Sequence, residues 1–160
     1  MLEMNKKIAM GNFKADNQYG NEGEKIIARY LYDNHDVKTL EFNGDYRYDM
    51  LAYSKRLDRN ILIEQKTDRL ITKEDDTGNL AIEIRYRGKP SGVSHTEAEY
   101  FIYYLRNLEE DNLWIIKVDE LKSLLKTGGF KKVRGGDNNW SEIVLLPRNN
   151  VKDWFKVLTV

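Results

Sequence analysis

The sequence predicts a mixed α/β domain, with helices laid on a central β-sheet. Three observations carry this. An amphipathic stretch runs from Glu22 to Tyr32. Three short apolar segments follow between Val37 and Lys66, separated by turn signals. Further apolar segments then recur with both strand and helix spacing up to the last residues. A length of 160 residues favours one domain over 1–160, and a 41% apolar content supplies a core for it.

Taken in order, residues 1–18 are polar and irregular and read as a short helix or a mobile arm. In EGEKIIARYLY, apolar residues fall at 26, 27, 28, 30, 31 and 32, a helix with a wide buried face; Asn21 suits its N-cap. Glu22 and Glu24 lie in its first turn, where the helix dipole favours anions. Val37–Phe42 reads as a first strand, and Asn43-Gly44-Asp45 as a turn. Tyr46–Tyr53 reads as a second strand, Lys55–Asn60 as a charged turn, and Ile61–Lys66 as a third strand.

Residues 67–79 form a solvated loop. Leu80, Ile82, Ile84 and Tyr86 alternate along a fourth strand. Ser94 and Glu97 match a capping box, which predicts a second, largely buried helix over EAEYFIYYLRNL. LWIIKV (113–118) is a fifth strand, ELKSLLK a short helix, and residues 130–140 a glycine-rich basic loop. Glu142–Leu146 is a sixth strand, and VKDWFKVL closes as a helix.

Composition excludes several chemistries. No cysteine means no disulfide, thiolate metal site or cysteine nucleophile, and two histidines, His35 and His95, argue against a multi-histidine zinc site. Any metal must then take carboxylates and water, which suits magnesium, with manganese as substitute. Lys and Arg number 26 against 26 Asp and Glu, so any basic surface is local. The apolar runs are too short to span a membrane, and residues 1–14 hold no signal-peptide stretch, so a cytoplasmic protein is expected.

The chemistry concentrates in DMLAYSKRLDRNILIEQK, residues 49–66. Alternation along a strand points Glu64 and Lys66 to one face and Gln65 to the other. Antiparallel pairing brings Asp49 beside Glu64. Two close carboxylates repel unless a cation neutralises them, and a hard divalent ion there would acidify water and draw charge from a phosphoryl oxygen. Lys66 is placed to orient the attacking water and stabilise developing charge. The Glu-x-Lys triplet by itself is weak. Asp36-Val37-Lys38 and Glu120-Leu121-Lys122 have the same spacing, and a solvated surface ion pair fits each of them. Only Glu64-Gln65-Lys66 follows an apolar strand and an aspartate-bearing strand.

This order of elements resembles the PD-(D/E)XK nuclease superfamily, in particular its small phage and archaeal junction-resolvase-like members. The helix after Gly20-Asn21-Glu22-Gly23-Glu24, the aspartate in RYDML and the strand ILIEQKTD carry the resemblance, over about residues 19–107. No proline precedes Asp49, and Gln65 is polar where an apolar residue is commoner; that suggests a face less buried or touching DNA. The resemblance implies a restriction-endonuclease-like mixed central β-sheet flanked by α-helices. It also implies a magnesium-dependent DNA endonuclease with Asp49, Glu64 and Glu24 as metal ligands, Glu22 being second choice to Glu24. Lys66 assists the water. Branched or junction DNA, in phage recombination, repair or degradation, is the implied substrate, and a two-fold symmetric junction would call for a homodimer.

DNA contacts are expected from Lys131, Lys132 and Arg134 in the basic loop, from Arg85, Arg87 and Lys89 at the end of the fourth strand, and from His95 at the second helix. Trp140 reads as an anchor for its loop. A catalytically inactive nuclease-fold DNA-binding module and a phage accessory protein acting through protein contacts are compatible with the same residues.

Overall fold

The computed structural model describes residues 22–68, 72–107 and 109–160. The expected arm, residues 1–18, and the expected cap, Asn21, lie outside them. Among the described residues the chain forms a mixed α/β fold with two sheets. It opens with α1 (Glu22–His35), β1 (Val37–Phe42), β2 (Met50–Ser54) and β3 (Arg59–Thr67), then β4 (Asn79–Tyr86) and β5 (Lys89–Pro90). Next come β6 (Tyr100–Leu105), β7 (Asn112–Lys117) and α2 (Val118–Lys126). β8 (Lys131–Gly135), β9 (Ser141–Pro147), α3 (Arg148–Val151) and β10 (Lys156–Thr159) complete it.

The larger sheet has six strands in the order β1-β2-β3-β6-β7-β10. Its pairings are antiparallel except β3 with β6, which run parallel with Ile63 opposite Tyr100 and Glu64 opposite Phe101. The smaller sheet has four strands in the order β5-β4-β9-β8. α1 covers one face of the large sheet. There Ile27, Ala28 and Leu31 pack with Met50, Ala52, Ile61, Ile63, Ile102 and Tyr104. The opposite face is covered by the small sheet and α2: Phe101, Tyr103, Trp114 and Ile116 pack with Leu80, Ile82, Val144, Leu146, Leu121 and Leu124.

This arrangement corrects the expected second helix. Residues 100–105 are β6, a central strand with Phe101 to Leu105 all buried. A segment apolar all round suits a strand sandwiched between two layers as well as a buried helix, and the β-branched and aromatic content of YFIYYL decides for the strand. Ile102 and Tyr104 face α1; Phe101 and Tyr103 face the small sheet. The expected capping box is instead a turn at Gly92–Ser94. Tyr100, Tyr103 and Tyr104, which fall within the expected helix, stand on this strand. Tyr103 is fully buried, and its hydroxyl accepts from Ala81 N at 3.2 Å, tying β6 to β4.

Two other expectations change. The basic loop at 130–140 begins as β8, an exposed edge strand whose lysines blunt its free hydrogen-bonding edge. Only 136–140 turns, with Gly136, Asn138 and Asn139 at positive φ. The closing helix is reduced to α3 and a turn at Lys152–Trp154, after which β10 adds to the edge of β7. Among the described residues no helix is long and apolar enough to cross a membrane.

Gly23 fixes the depth at which α1 sits. A Cβ built there would collide with the side chain of Thr67 on β3. Gly23→Ala is therefore expected to push α1 off the sheet and to lower stability by about 1–3 kcal/mol. Urea denaturation checks this; an unchanged midpoint would show that α1 yields without cost.

Candidate functional site

β2 starts at Met50, so Asp49 stands at its leading end rather than within it. Met50 pairs with Ile63, which puts Asp49 opposite Glu64. The Asp49 N–H donates to Ile63 O at 2.9 Å. Beyond this point the two strands part: the Gln65 N–H donates not to backbone but to Asp49 Oδ2, at 2.7 Å. The strand end thus holds the Asp49 side chain in place through the main chain of β3.

Glu64 and Lys66 share one face of β3, as alternation requires. They line a cavity of about 190 Å³ between the two sheets, together with Ala81, Glu83, Gly92 and Phe101. The Lys66 side chain is exposed, and among the described residues it has no carboxylate within ion-pair distance. Gln65 turns the other way, under α1. Its Nε2 donates to Glu24 Oε1 at 3.2 Å, and its Oε1 accepts from Thr67 at 2.8 Å. The unusual middle residue of the triplet therefore anchors the helix glutamate, an interior role in place of a DNA-facing one.

The electrostatics of the pair are unfavourable as they stand. Burial pushes the Asp49 carboxyl up to about 6, against the lowering pull of the Gln65 N–H. Burial pushes Glu64 further, to about 8; the charge of Asp49 adds to this, as do those of Glu24 and Glu83, while Thr96 opposes. Thr96 Oγ1 lies 3.0 Å from Glu64 Oε2 and 2.9 Å from Arg47 O, and it accepts from Ala98 N. One hydroxyl proton serves one acceptor. Arg47 O already accepts from Glu97 N at 2.7 Å, which leaves the Thr96 proton for Glu64.

The other sequence-selected residues divide. Glu24, 6% exposed, is held by Gln65, and its charge is felt at Glu64. Glu22 is on the exposed side of α1, 3.9 Å from Arg106. Arg85, Lys132 and Arg134 gather on one face of the small sheet. Arg134 and Arg85 each stand opposite Glu142, and Lys132 and Arg85 lie 3.9 Å from its carboxylate. Lys131 points to the other face by alternation, and Lys89 stands opposite Tyr86. Arg87 stacks over the Trp140 ring at 3.7 Å, and exposed Tyr86 meets that ring edge-on at 6.1 Å. His95 begins no helix; its ring meets Tyr46 edge-on at 4.4 Å.

Sequence reasoning missed Thr96 and Glu83. Thr96 falls inside the Ser94–Glu97 segment expected to start a helix. Glu83 sits between Ile82 and Ile84 on β4, held by Ser91 at 3.0 Å and Ser141 at 2.6 Å. A lone acid on the polar side of an alternating strand was its signal. Among the described residues no group of three or more His, Asp or Glu side chains is gathered closely enough to hold a metal without help. The donors on offer are the Asp49–Glu64 pair, with Glu24 and Glu83 near enough to act on Glu64 by charge.

A raised carboxyl pKa means that the fold disfavours the ionised form. The associated stability is present below the ordinary carboxylate range and is lost as pH rises through about 6 and about 8. In metal-free buffer Glu64→Gln is thus expected to melt at a higher temperature than wild type above pH 8 and at a similar one near pH 4. Melting curves across that range check it; a variant that melts lower at high pH would contradict it.

No family model, curated protein or solved structure matches this chain.

Proposed function

We propose that this chain is a metal-dependent DNA endonuclease that acts through Asp49, Glu64 and Lys66. The observation that carries the reading is the pair of half-buried, mutually repelling carboxylates at a strand end, with an exposed ammonium on the same face that meets no carboxylate among the described residues. Desolvated like charges invite a divalent cation, and magnesium binds through one or two carboxylates while keeping several waters. The donor set fits it: two acidic groups, Asp49 held by the Gln65 N–H and Glu64 by the Thr96 hydroxyl, with no cationic partner among the described residues.

In this reading Asp49 and Glu64 would hold the ion, which when bound supplies positive charge at a phosphoryl group and acidifies water. Asp49 is kept in position by the Gln65 N–H, and Glu64 by Thr96. Glu24 adds negative charge behind the pair and is held there by Gln65. Lys66 presents an ammonium where negative charge develops on the phosphate. The resemblance to PD-(D/E)XK nucleases supports the same assignment through the order of α1 and the antiparallel β1-β2-β3 meander, whereas the packing helix expected after the Glu-x-Lys strand is β6 here. A nuclease-fold protein that binds DNA without cutting is the second reading; the lack of a third close carboxylate among the described residues favours it.

Purified protein is expected to nick plasmid or cut junction DNA with magnesium or manganese. Glu64→Ala and Lys66→Ala are expected to lower the rate by about 10²–10³-fold. Magnesium should also raise the melting temperature of wild type but not of Asp49→Asn/Glu64→Gln. A folded wild type that cuts no DNA with either ion overturns the reading; cleavage that survives Glu64→Ala removes the site.

A further inference from the structure

A groove of about 450 Å³ runs between α2 and the small sheet, next to the Glu64 cavity. Arg85 and Lys132 line its sheet side, and Lys122 and Lys126 its helix side. No acidic residue lines it among the described residues. Glu142 is the nearby acid, 3.9 Å from both Arg85 and Lys132. Neither Lys122 nor Lys126 has a carboxylate within ion-pair distance among the described residues.

Such a concentration of one sign is not what a chain of zero net charge produces by default. Lys122 and Lys126 stand four residues apart on α2, a spacing at which like charges cost helix stability. Apolar walls from Ile84, Leu125 and Val144 lower the local dielectric and focus the field in the groove. The groove also joins the candidate site. The Gly92–Ser94 turn separates the two, with Val93 lining both.

We infer that this groove is a track for the phosphate backbone of single-stranded DNA leading to or from the Glu64 cavity. The inference rests on the nuclease reading for its direction and on the groove's own charge for its ligand. Cationic side chains on two facing walls suit one strand lying between them, since basic grooves of this kind track the backbone of a single strand. The substrate this assigns is DNA with an unpaired strand, as at a flap or an open branch.

The test is fluorescence anisotropy with labelled oligo-dT and with a hairpin duplex of equal length, in chelator, so that binding is read without cleavage. Wild type is expected to prefer oligo-dT. Lys122→Glu/Lys126→Glu should weaken that binding at least tenfold. The milder Lys122→Gln/Lys126→Gln pair, checked for an unchanged melting temperature, should lower the slope of log affinity against log salt by about 1.4, two contacts at ~0.7 each. Preference for the duplex, or unchanged binding by the two variants, overturns the track. If DNA is bound as expected but never cut, the track stands and the nuclease reading falls. If DNA is cut while both variants bind as wild type does, only the track falls.

Discussion

The parallel pairing of β3 with β6 constrains everything else. Parallel neighbours cannot be joined by a hairpin, so the chain must travel back along the sheet before β6 begins. The usual solution is a helix laid on one face. Here β4 and β5 take that path, and β8 and β9 later complete the sheet they begin. Because this crossover is sheet rather than helix, it has a pleated polar side and a hairpin turn to offer. Ala81, Glu83 and Gly92 come from it, and they close the cavity in which Glu64 and Lys66 stand. Site and crossover are one construction.

At Glu64 the competing influences can be ranked. Desolvation is the largest influence on its carboxyl, the neighbouring Asp49 charge is next, and the Thr96 hydroxyl recovers only part. Similar logic holds for Asp49, where a single main-chain N–H works against burial. A surface hairpin with a solvated ion pair would show neither pattern, since exposed charges keep their water and gain little from partners. Strand separation after Ile63 explains why the carboxylates sit here. It frees the Gln65 N–H from the ladder, and Asp49 takes its place as acceptor.

Much of this was legible in the residues. β1 falls on the residues read for it, β3, β4, β7 and β9 within two of them, and the facing of Glu64, Lys66 and Gln65 follows from period-two alternation. What was hidden has a common cause. YFIYYL is apolar on every side, so its period cannot tell a twice-covered strand from a buried helix, and the Ser94–Glu97 spacing imitated a capping box. KKVRG and KVLT are edge strands with polar or short sequences, whose structure comes from the neighbours they pair with. Glu83 and Thr96 reach Glu64 only through tertiary packing, which no local spacing encodes.

β6 belongs to both hydrophobic cores at once. Ile102 and Tyr104 serve the layer under α1; Phe101, Tyr103 and Leu105 serve the layer under the small sheet. Neither layer can therefore melt alone, because losing either one strips half the contacts from the strand the other needs. The two behave as a single cooperative unit, and amide protons of β3 and β6 should exchange with solvent only in the rarest, global openings. That unit is also slow to nucleate. Its defining contact joins Ile63 to Tyr100 across the whole crossover, so loop-closure entropy must be met before the central strands gain anything from meeting.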